Sequence, residues 1–438
     1  MAKPAQEPSS ILIVGSGVFG CMSTALALSR RPRYSQTCIT VLDKSPFPSP
    51  DGSSVDSSRI VRADYSDPAY ASLAAEAQVL WRGKWGEEGR YNESGLVVVA
   101  DEGKTDYVWR SLGNVKALKN ARDKKELKER RDIDNVVGTG GGSGVWGYVN
   151  WNSGWADAEA GIRYARKLCE ESQRIQFVTT EALRLVMVGR QVIGVESGQG
   201  NILADLVVLA TGAWTGKLVD LRGRAEASGQ VVAYIDLTRH EQQRLEKMPV
   251  LLNFSTGMFV TPPRNRVLKI ARHGYGYRNP QQIPQPEETD SSKGSTIEVS
   301  LPRTQLDEPG QWIPKEGEAD CRSALAEMIP SLAERPFKRT RICWYTDTPT
   351  GDFLITHHPA LPGLFLATGG SGHGYKFLPI IGEKIVDCIA GNAPAEFREK
   401  WRWAERAAGD AVVTEDGSRG GRAGMVLDAE MRRGGSRL

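Results

Sequence analysis

The stretch SSILIVGSGVFGCMSTALALSRR, Ser9 to Arg31, decides the fold. Ile11 to Val14 form a short β-branched apolar run that stops at Gly15, and a helical run follows from Cys21 to Ser29. Between them Gly15, Gly17 and Gly20 give G-x-G-x-x-G. A second strand, CITVLDK from Cys38 to Lys44, ends near Asp43, so an acid follows the glycines by about 20 residues. Strand, glycine turn, helix and acid together make the motif specific for a dinucleotide. Gly15 permits the sharp turn, Gly17 lets backbone N–H groups approach a pyrophosphate, and Gly20 allows close helix–strand packing. The helix start offers unpaired donors to phosphate, and Asp43 can accept from ribose hydroxyls. The motif alone leaves nicotinamide and flavin both open.

Working outward, DLVVLATGAWT, Asp205 to Thr215, is a further apolar strand that breaks at Thr211-Gly212. Its distance from the first turn makes the dinucleotide domain discontinuous. A nicotinamide dehydrogenase usually keeps its nucleotide half compact and continuous, so the interleaving favours a flavoprotein. An NAD-dependent dehydrogenase using the same turn is the alternative. Between these halves QVVAYIDL, PVLLNF, GMFVTPP and RVLKIARH read as strands of a mixed or antiparallel sheet able to roof a cavity. The predicted class is α/β, of mixed α+β character: a two-lobed protein with a Rossmann-type lobe interwoven with a mixed-sheet substrate lobe. Residues 8–85, 151–225 and 341–400 are assigned to the dinucleotide lobe, 86–150 and 226–340 to the substrate lobe, and 401–438 to a tail. GTGGGSG, Gly138 to Gly144, reads as a flexible loop with no ligand, and Pro280 to Ser292 as a polar surface loop. The run EKIVDCIAG reads as a helix, and KWRWAERAAG opens a basic, surface-lying tail.

Composition excludes several classes. With 438 residues the chain is too long for one small core, and 40% hydrophobic with 25% charged residues is globular. A net charge of +3 with dispersed Lys and Arg is no nucleic-acid footprint. No apolar run of about 20 residues predicts a membrane span, and MAKPAQEPSS lacks a secretory apolar stretch. Cys21, Cys38, Cys169, Cys321, Cys343 and Cys388 include no CxxC pair and no zinc spacing, so free thiols and no metal are expected. Cys343, in RICWYTDTPTGDFLITHHP, admits several readings: core residue, nucleophile, ligand or attachment point.

Four blocks carry a resemblance: ILIVGSGVFG; DSSRIVRADYSDPAY with EAQVLW downstream; RICWYTDTPTGDFLITHHP; and ATGGSGHGYKFLPIIGEKI. With YVNWNSGWADA and KWRW in support, the chain resembles the FAD-dependent amine oxidases that include monomeric sarcosine oxidases, saccharopine oxidases and fructosyl amino acid oxidases (amadoriases). The likeness implies FAD joined through an 8α-S-cysteinyl bond to Cys343, a thiol that cationic neighbours would activate. It implies that Arg59 lies against the flavin, and that Arg62 and Lys376 bind a substrate carboxylate, where a planar fork can hold two oxygens. Lys269 matches a lysine beside flavin N5 whose positive charge favours electron transfer to oxygen. His273 and Tyr345 would line the substrate cavity, and His373 would touch the flavin. Val18, Phe19, Lys44, Ser58, Gly372 and Gly374 complete the cofactor-binding set with Gly15, Gly17, Gly20 and Asp43, and Lys376 belongs to both sets. Asp56 precedes the basic pair as in amadoriases, but Ser-Ser-Arg replaces their Asn-x-Lys, which weakens a fructosyl reading.

The implied reaction is oxidation of a secondary amine in an N-substituted or cyclic amino acid. The products are an imine or aldehyde and hydrogen peroxide; a related alternative closes a C–N or C–C ring. The partners expected are the amino acid and O2, and the family tendency is monomeric. Ser436-Arg437-Leu438 approaches the peroxisomal Ser-Lys-Leu signal, so an import receptor is a further expected partner and the peroxisome, otherwise the cytoplasm, the expected location.

Overall fold

Strand Ser10–Val14 lies at the heart of a six-stranded sheet, as its unbroken burial requires of a parallel strand covered on both faces. The computed structural model describes residues 7–118, 124–288, 294–310 and 313–433. The sheet runs Leu354–His357, Leu364–Thr368, Leu206–Leu209, Ser10–Val14, Cys38–Asp43, Ile175–Thr179. All its pairings are parallel except the edge pair Leu354–His357 with Leu364–Thr368. Its strands thus come from segments far apart in the chain. After the glycine turn the chain opens as a π-helical stretch, Gly20–Ala25, and continues as the α-helix Leu26–Arg30. Two helices pack on it, Ala158–Glu171 and Ile381–Ile389. The second approaches so closely that a Cβ on Gly382 would lie 2.1 Å from the Ser23 carbonyl oxygen.

The second lobe is a ten-stranded mixed sheet. Its longest strand, Glu226–Asp236, is flanked by Val267–Arg272 on one side and Arg339–Asp347 on the other. Register places Tyr234 opposite Lys269, Gln230 opposite Cys343 and Ser228 opposite Tyr345. Side chains alternate along a strand and cross-strand partners share a face. Arg341, Cys343, Tyr345 and Asp347 therefore project from the same face as Lys269. Arg272, one residue out of phase, points the other way and pairs with Glu316 and Asp320 on the helix Lys315–Met328, which covers that face. A helix from Pro68 to Arg82 joins the lobes. Asp67 caps it by accepting from Ala69 and Tyr70, Pro68 suits its first turn, and buried Trp81 donates to the carbonyl of Lys376 at 2.8 Å.

Four expectations change. Pro280–Pro284 is a strand paired antiparallel with Thr296–Ser300, so part of the predicted surface loop is a hairpin; Pro at its ends costs few ladder bonds. The Gly138–Gly144 loop is packed tightly: a Cβ on Gly141 would sit 2.2 Å from the Glu327 carbonyl, and buried Thr139 donates to Met328. The segment after residue 401 does not lie on the surface throughout. Met425–Val426 pairs with Tyr277–Arg278 in the large sheet, Gly420 bridges Gly274, and Thr414, Ser418, Arg419 and Leu427 are buried. Its polar composition hid this: Thr414, Ser418 and Arg419 are buried against polar partners, while Met425 and Leu427, too few to show a period, join an apolar core. The strand Arg339–Asp347, straddling the boundary drawn at 341, belongs to the large sheet. Among the described residues no helix is long and apolar enough to cross a membrane.

Candidate active site

A cleft enclosing about 1380 Å³, partly open to solvent, runs along the C-terminal ends of the parallel strands. Gly15, Gly17, Val18, Phe19, Asp43, Lys44, Arg59, Tyr345, Gly372 and Gly374 line it, all from the predicted set. Gly15 sits at φ +108°, where a Cβ would meet the Ala210 carbonyl at 2.4 Å, and a Cβ on Gly20 would strike the Gly15 carbonyl. Asp43 accepts from the Ser16 N–H and hydroxyl at 2.7 and 2.6 Å, so it pins the glycine turn as well as facing the cleft. Lys44 pairs with Asp51 and lies over the Trp214 ring. Gly372 is at φ +64° against the ring of Tyr345. These bare backbones and the acid fit an extended dinucleotide, FAD included.

Where the cleft meets the large sheet, one carboxylate organises three cations. Asp56, fully buried, accepts from Lys269 at 2.8 Å, from Arg59 and from the Tyr234 hydroxyl at 2.7 Å. Burial alone would raise its pKa, but Lys269, Arg59 and Arg341 outweigh this and hold it well below the carboxylate range. Burial and the Arg59 charge push Lys269 down to about 8 despite Asp56. Lys269 also donates to the Ser58 carbonyl at 2.8 Å. Arg59 reaches Cys343 Sγ at 3.5 Å, so the cation serving that thiol comes from Arg59 across the site as well as from its strand neighbour Arg341. Cys343 and Ser58 are buried just behind the wall and are not among the residues lining the cleft. Asp56 is likewise no pocket residue; its carboxylate is committed to the cations.

A second space of about 550 Å³ shares Arg59, Tyr345, Gly372 and Tyr375 with the cleft. Arg62, Lys269, His273, His373 and Lys376 all line it. Arg59–Val61 is a strand, so the spacing of the two arginines is not helical. No Asp or Glu lines this pocket. Arg62 is buried over the rings of Tyr65 and Phe254, and its Nη1 has no hydrogen-bond partner. Lys376 Nζ donates to the Tyr65 hydroxyl and the His373 carbonyl, both at 2.8 Å. Burial and the neighbouring Arg62 lower its pKa well below the usual value. Ile60, Leu252 and Phe259 make the remaining wall apolar.

Sequence reasoning missed two participants. Tyr65 links Lys376 to His373 Nδ1, 2.9 Å from its hydroxyl; it stands within the quoted RIVRADY block and was the legible one. Arg419 enters from the tail, where nothing in the pattern marks it. It bonds Asp347 at 2.5 Å and the Ser371 carbonyl at 2.8 Å, and its Nη1 lies 2.6 Å from His273 Nε2. A guanidinium can only donate, so the nitrogen it meets is unprotonated and His273 is neutral. Burial, then Arg419 and Arg62, keep its pKa well below normal.

A discontinuous dinucleotide lobe, joined to a large sheet beside a pocket lined by basic side chains, is the architecture of a dinucleotide-dependent oxidoreductase. The chain belongs to the FAD dependent oxidoreductase family, whose model matches residues 10–388. It is 32% identical to the amino acid oxidase imqH of Aspergillus flavus, over 87% of this chain and 93% of that protein. It is 30% identical to the L-saccharopine oxidase of Schizosaccharomyces pombe, over 90% and 93%. The fructosamine oxidase Amadoriase II of Aspergillus fumigatus superposes with a TM-score of 0.78 at 29% identity, covering 95% of each chain. The enzyme is thus an FAD-dependent oxidoreductase, and the nicotinamide dehydrogenase reading falls away.

Proposed function

We propose that the enzyme oxidises the secondary amine of an N-substituted or cyclic amino acid, with release of hydrogen peroxide. The observation that carries this is the buried Arg62, whose unpartnered Nη1 stands beside Lys376 in a pocket lined by no acid. Two basic side chains held that way suit a carboxylate, with the guanidinium taking two oxygens. FAD, when bound, supplies the two-electron acceptor and hands the electrons to oxygen. The protein's part is to hold the carboxylate, to keep His273 neutral at the pocket wall, and to exclude water. The imine formed is hydrolysed or captured within the molecule. Because Asp56 is committed to Lys269 and Arg59, and Ile60, Leu252 and Phe259 face the pocket, an apolar N-substituent or ring suits it better than a fructosyl group.

Cys343 is proposed as the covalent attachment point, with the Arg59 guanidinium 3.5 Å from its sulfur, and Lys269 as the charge beside which oxygen reacts. Ser436-Arg437-Leu438, outside the described residues, is proposed as a peroxisomal import signal; relocation of a fluorescent fusion on its deletion tests that. The function is tested by a peroxide screen over pipecolate, sarcosine, N-methyl aromatic amino acids, saccharopine and fructosyl-lysine. Peroxide from none of them defeats the proposal. Yellow colour that stays with acid-precipitated protein, and is lost in Cys343→Ser, supports the tether; colour released from the wild type refutes it.

A further inference from the structure

The hydrogen bonds around Lys376 fix more than its position. His373 Nε2 lies 2.8 Å from the Gly351 carbonyl, which can only accept, so Nε2 carries a proton; burial and then Lys376 hold the ring's pKa well below its usual value, so it is neutral and Nδ1 is the acceptor. Tyr65 must then donate its hydroxyl proton to Nδ1, and its oxygen must accept from Lys376. The second bond of Nζ goes to the His373 carbonyl, again an acceptor. Two N–H groups of Lys376 are therefore placed, as many as a neutral amine has. The remaining position on nitrogen, lone pair or third N–H, is free of protein partners, and the side chain lines the anion pocket.

The charges around it explain which form it takes. Arg62, Arg59, Lys269 and neutral His273 line the same pocket, Arg419 stands against His273, and His373 and Tyr65 bond Nζ or its neighbours. Asp64 is the nearby acid, and its oxygens are filled by Tyr148, Asn150 and Ser153 at 2.9, 2.9 and 2.6 Å. No carboxylate pairs with Lys376 among the described residues. Before an anion arrives, a proton on Nζ would add one more cation to a buried cluster; once a carboxylate lies between Arg62 and Lys376, that proton is held.

We propose that Lys376 is the acceptor of the proton that a substrate ammonium must lose before oxidation. A zwitterionic amino acid brings carboxylate and ammonium together; as the carboxylate docks, the N–H bond of the ammonium breaks and an N–H bond forms on Nζ. The substrate is left as a neutral amine, Lys376 as an ammonium paired with the carboxylate, and no proton is exchanged with solvent. This deepens the amine oxidase reading and rests on it for the substrate class.

The test counts protons on binding to the holoenzyme, by titration calorimetry in two buffers of different ionisation enthalpy. Isobutyrate supplies a carboxylate and no amine. α-Aminoisobutyrate supplies both, with no oxidisable C–H on the α-carbon. Isobutyrate is expected to take up about one proton per site from solvent and α-aminoisobutyrate close to none. Lys376→Arg, permanently charged, should bind isobutyrate with no uptake; Lys376→Met should show none either, with flavin absorbance confirming a folded site. Isobutyrate binding without proton uptake by the wild type, failure of isobutyrate to bind, or undiminished uptake in Lys376→Arg overturns the inference. Peroxide from an amino acid together with zero uptake would sink this inference while leaving the amine oxidase standing. Full uptake with no oxidisable amine found would do the reverse.

Discussion

Arg62 is buried with one N–H unmatched, so removing it should weaken carboxylate binding without emptying the flavin cleft. Arg62→Ala is expected to lose about 1.5–3 kcal/mol, roughly 10- to 150-fold in kcat/KM, chiefly through KM. Initial rates at unchanged flavin content check it. Lys269 behaves differently, since it is held by Asp56 and the Ser58 carbonyl. Lys269→Met should slow flavin reoxidation by about 100-fold or more while reduction changes little; stopped-flow traces showing equal losses in both half-reactions would refute the role. Of these residues, Arg62, Lys269 and Lys376 were readable because their blocks resemble known oxidases. Asp56 was noticed for its place in the chain, but its partner set depends on three cations from separate strands, which no local pattern reveals. Cys343 and Ser58 sit behind the cleft wall for a similar reason: strand alternation gives a face, not a depth.

At the level of elements, the glycine turn was legible because turn, helix start and acid are all local. The tail was not. Arg419 is held by Asp347 and Ser371, and both contacts join segments distant in sequence. Asp347 also accepts from Ser228, and burial raises its pKa even with Arg419 alongside. Arg419→Ala leaves that carboxylate buried without its cation, a loss of about 3–5 kcal/mol. A fall in melting temperature should follow, and Asp347→Asn in the same chain should restore part of it. A double variant no better than the single one would show that the tail is held by something else. Apolar periodicity, the strongest sequence signal, says little about a segment whose buried groups are mostly polar, Thr414, Ser418, Arg419 and Glu430 beside Met425 and Leu427.

The whole molecule shows how far the interleaving goes. Alternation of nucleotide and substrate segments was read from the spacing of apolar strands. The six-stranded sheet draws on Ser10–Val14, Cys38–Asp43, Ile175–Thr179, Leu206–Leu209, Leu354–His357 and Leu364–Thr368, while a small sheet of Arg59–Val61, Gly154–Ala156 and Tyr91–Asn92 crosses the drawn bounds. The site lies where the cleft meets the large sheet, and the charge cluster there joins Asp56 and Arg59 to Lys269 and Arg341. The Asp56 carboxylate is held below its ordinary value in the folded state by Lys269, Arg59 and Arg341. A depressed acid contributes stability above its unfolded pKa of about 3.9 and loses it as pH falls further. Thermal unfolding of the holoenzyme should therefore show an acid-side loss below about pH 4. Asp56→Asn should melt lower at neutral pH yet decline less steeply in acid; an unchanged acid slope would dismiss Asp56 as its source.

The strand at Leu364–Thr368 pairs with Leu206–Leu209, which in turn pairs with Ser10–Val14. On the ribosome, the first glycine turn must therefore wait for most of the polypeptide before its sheet can be finished. Completion of the nucleotide cleft is accordingly a late event in biogenesis, since the strand that closes its sheet is among the last to be made.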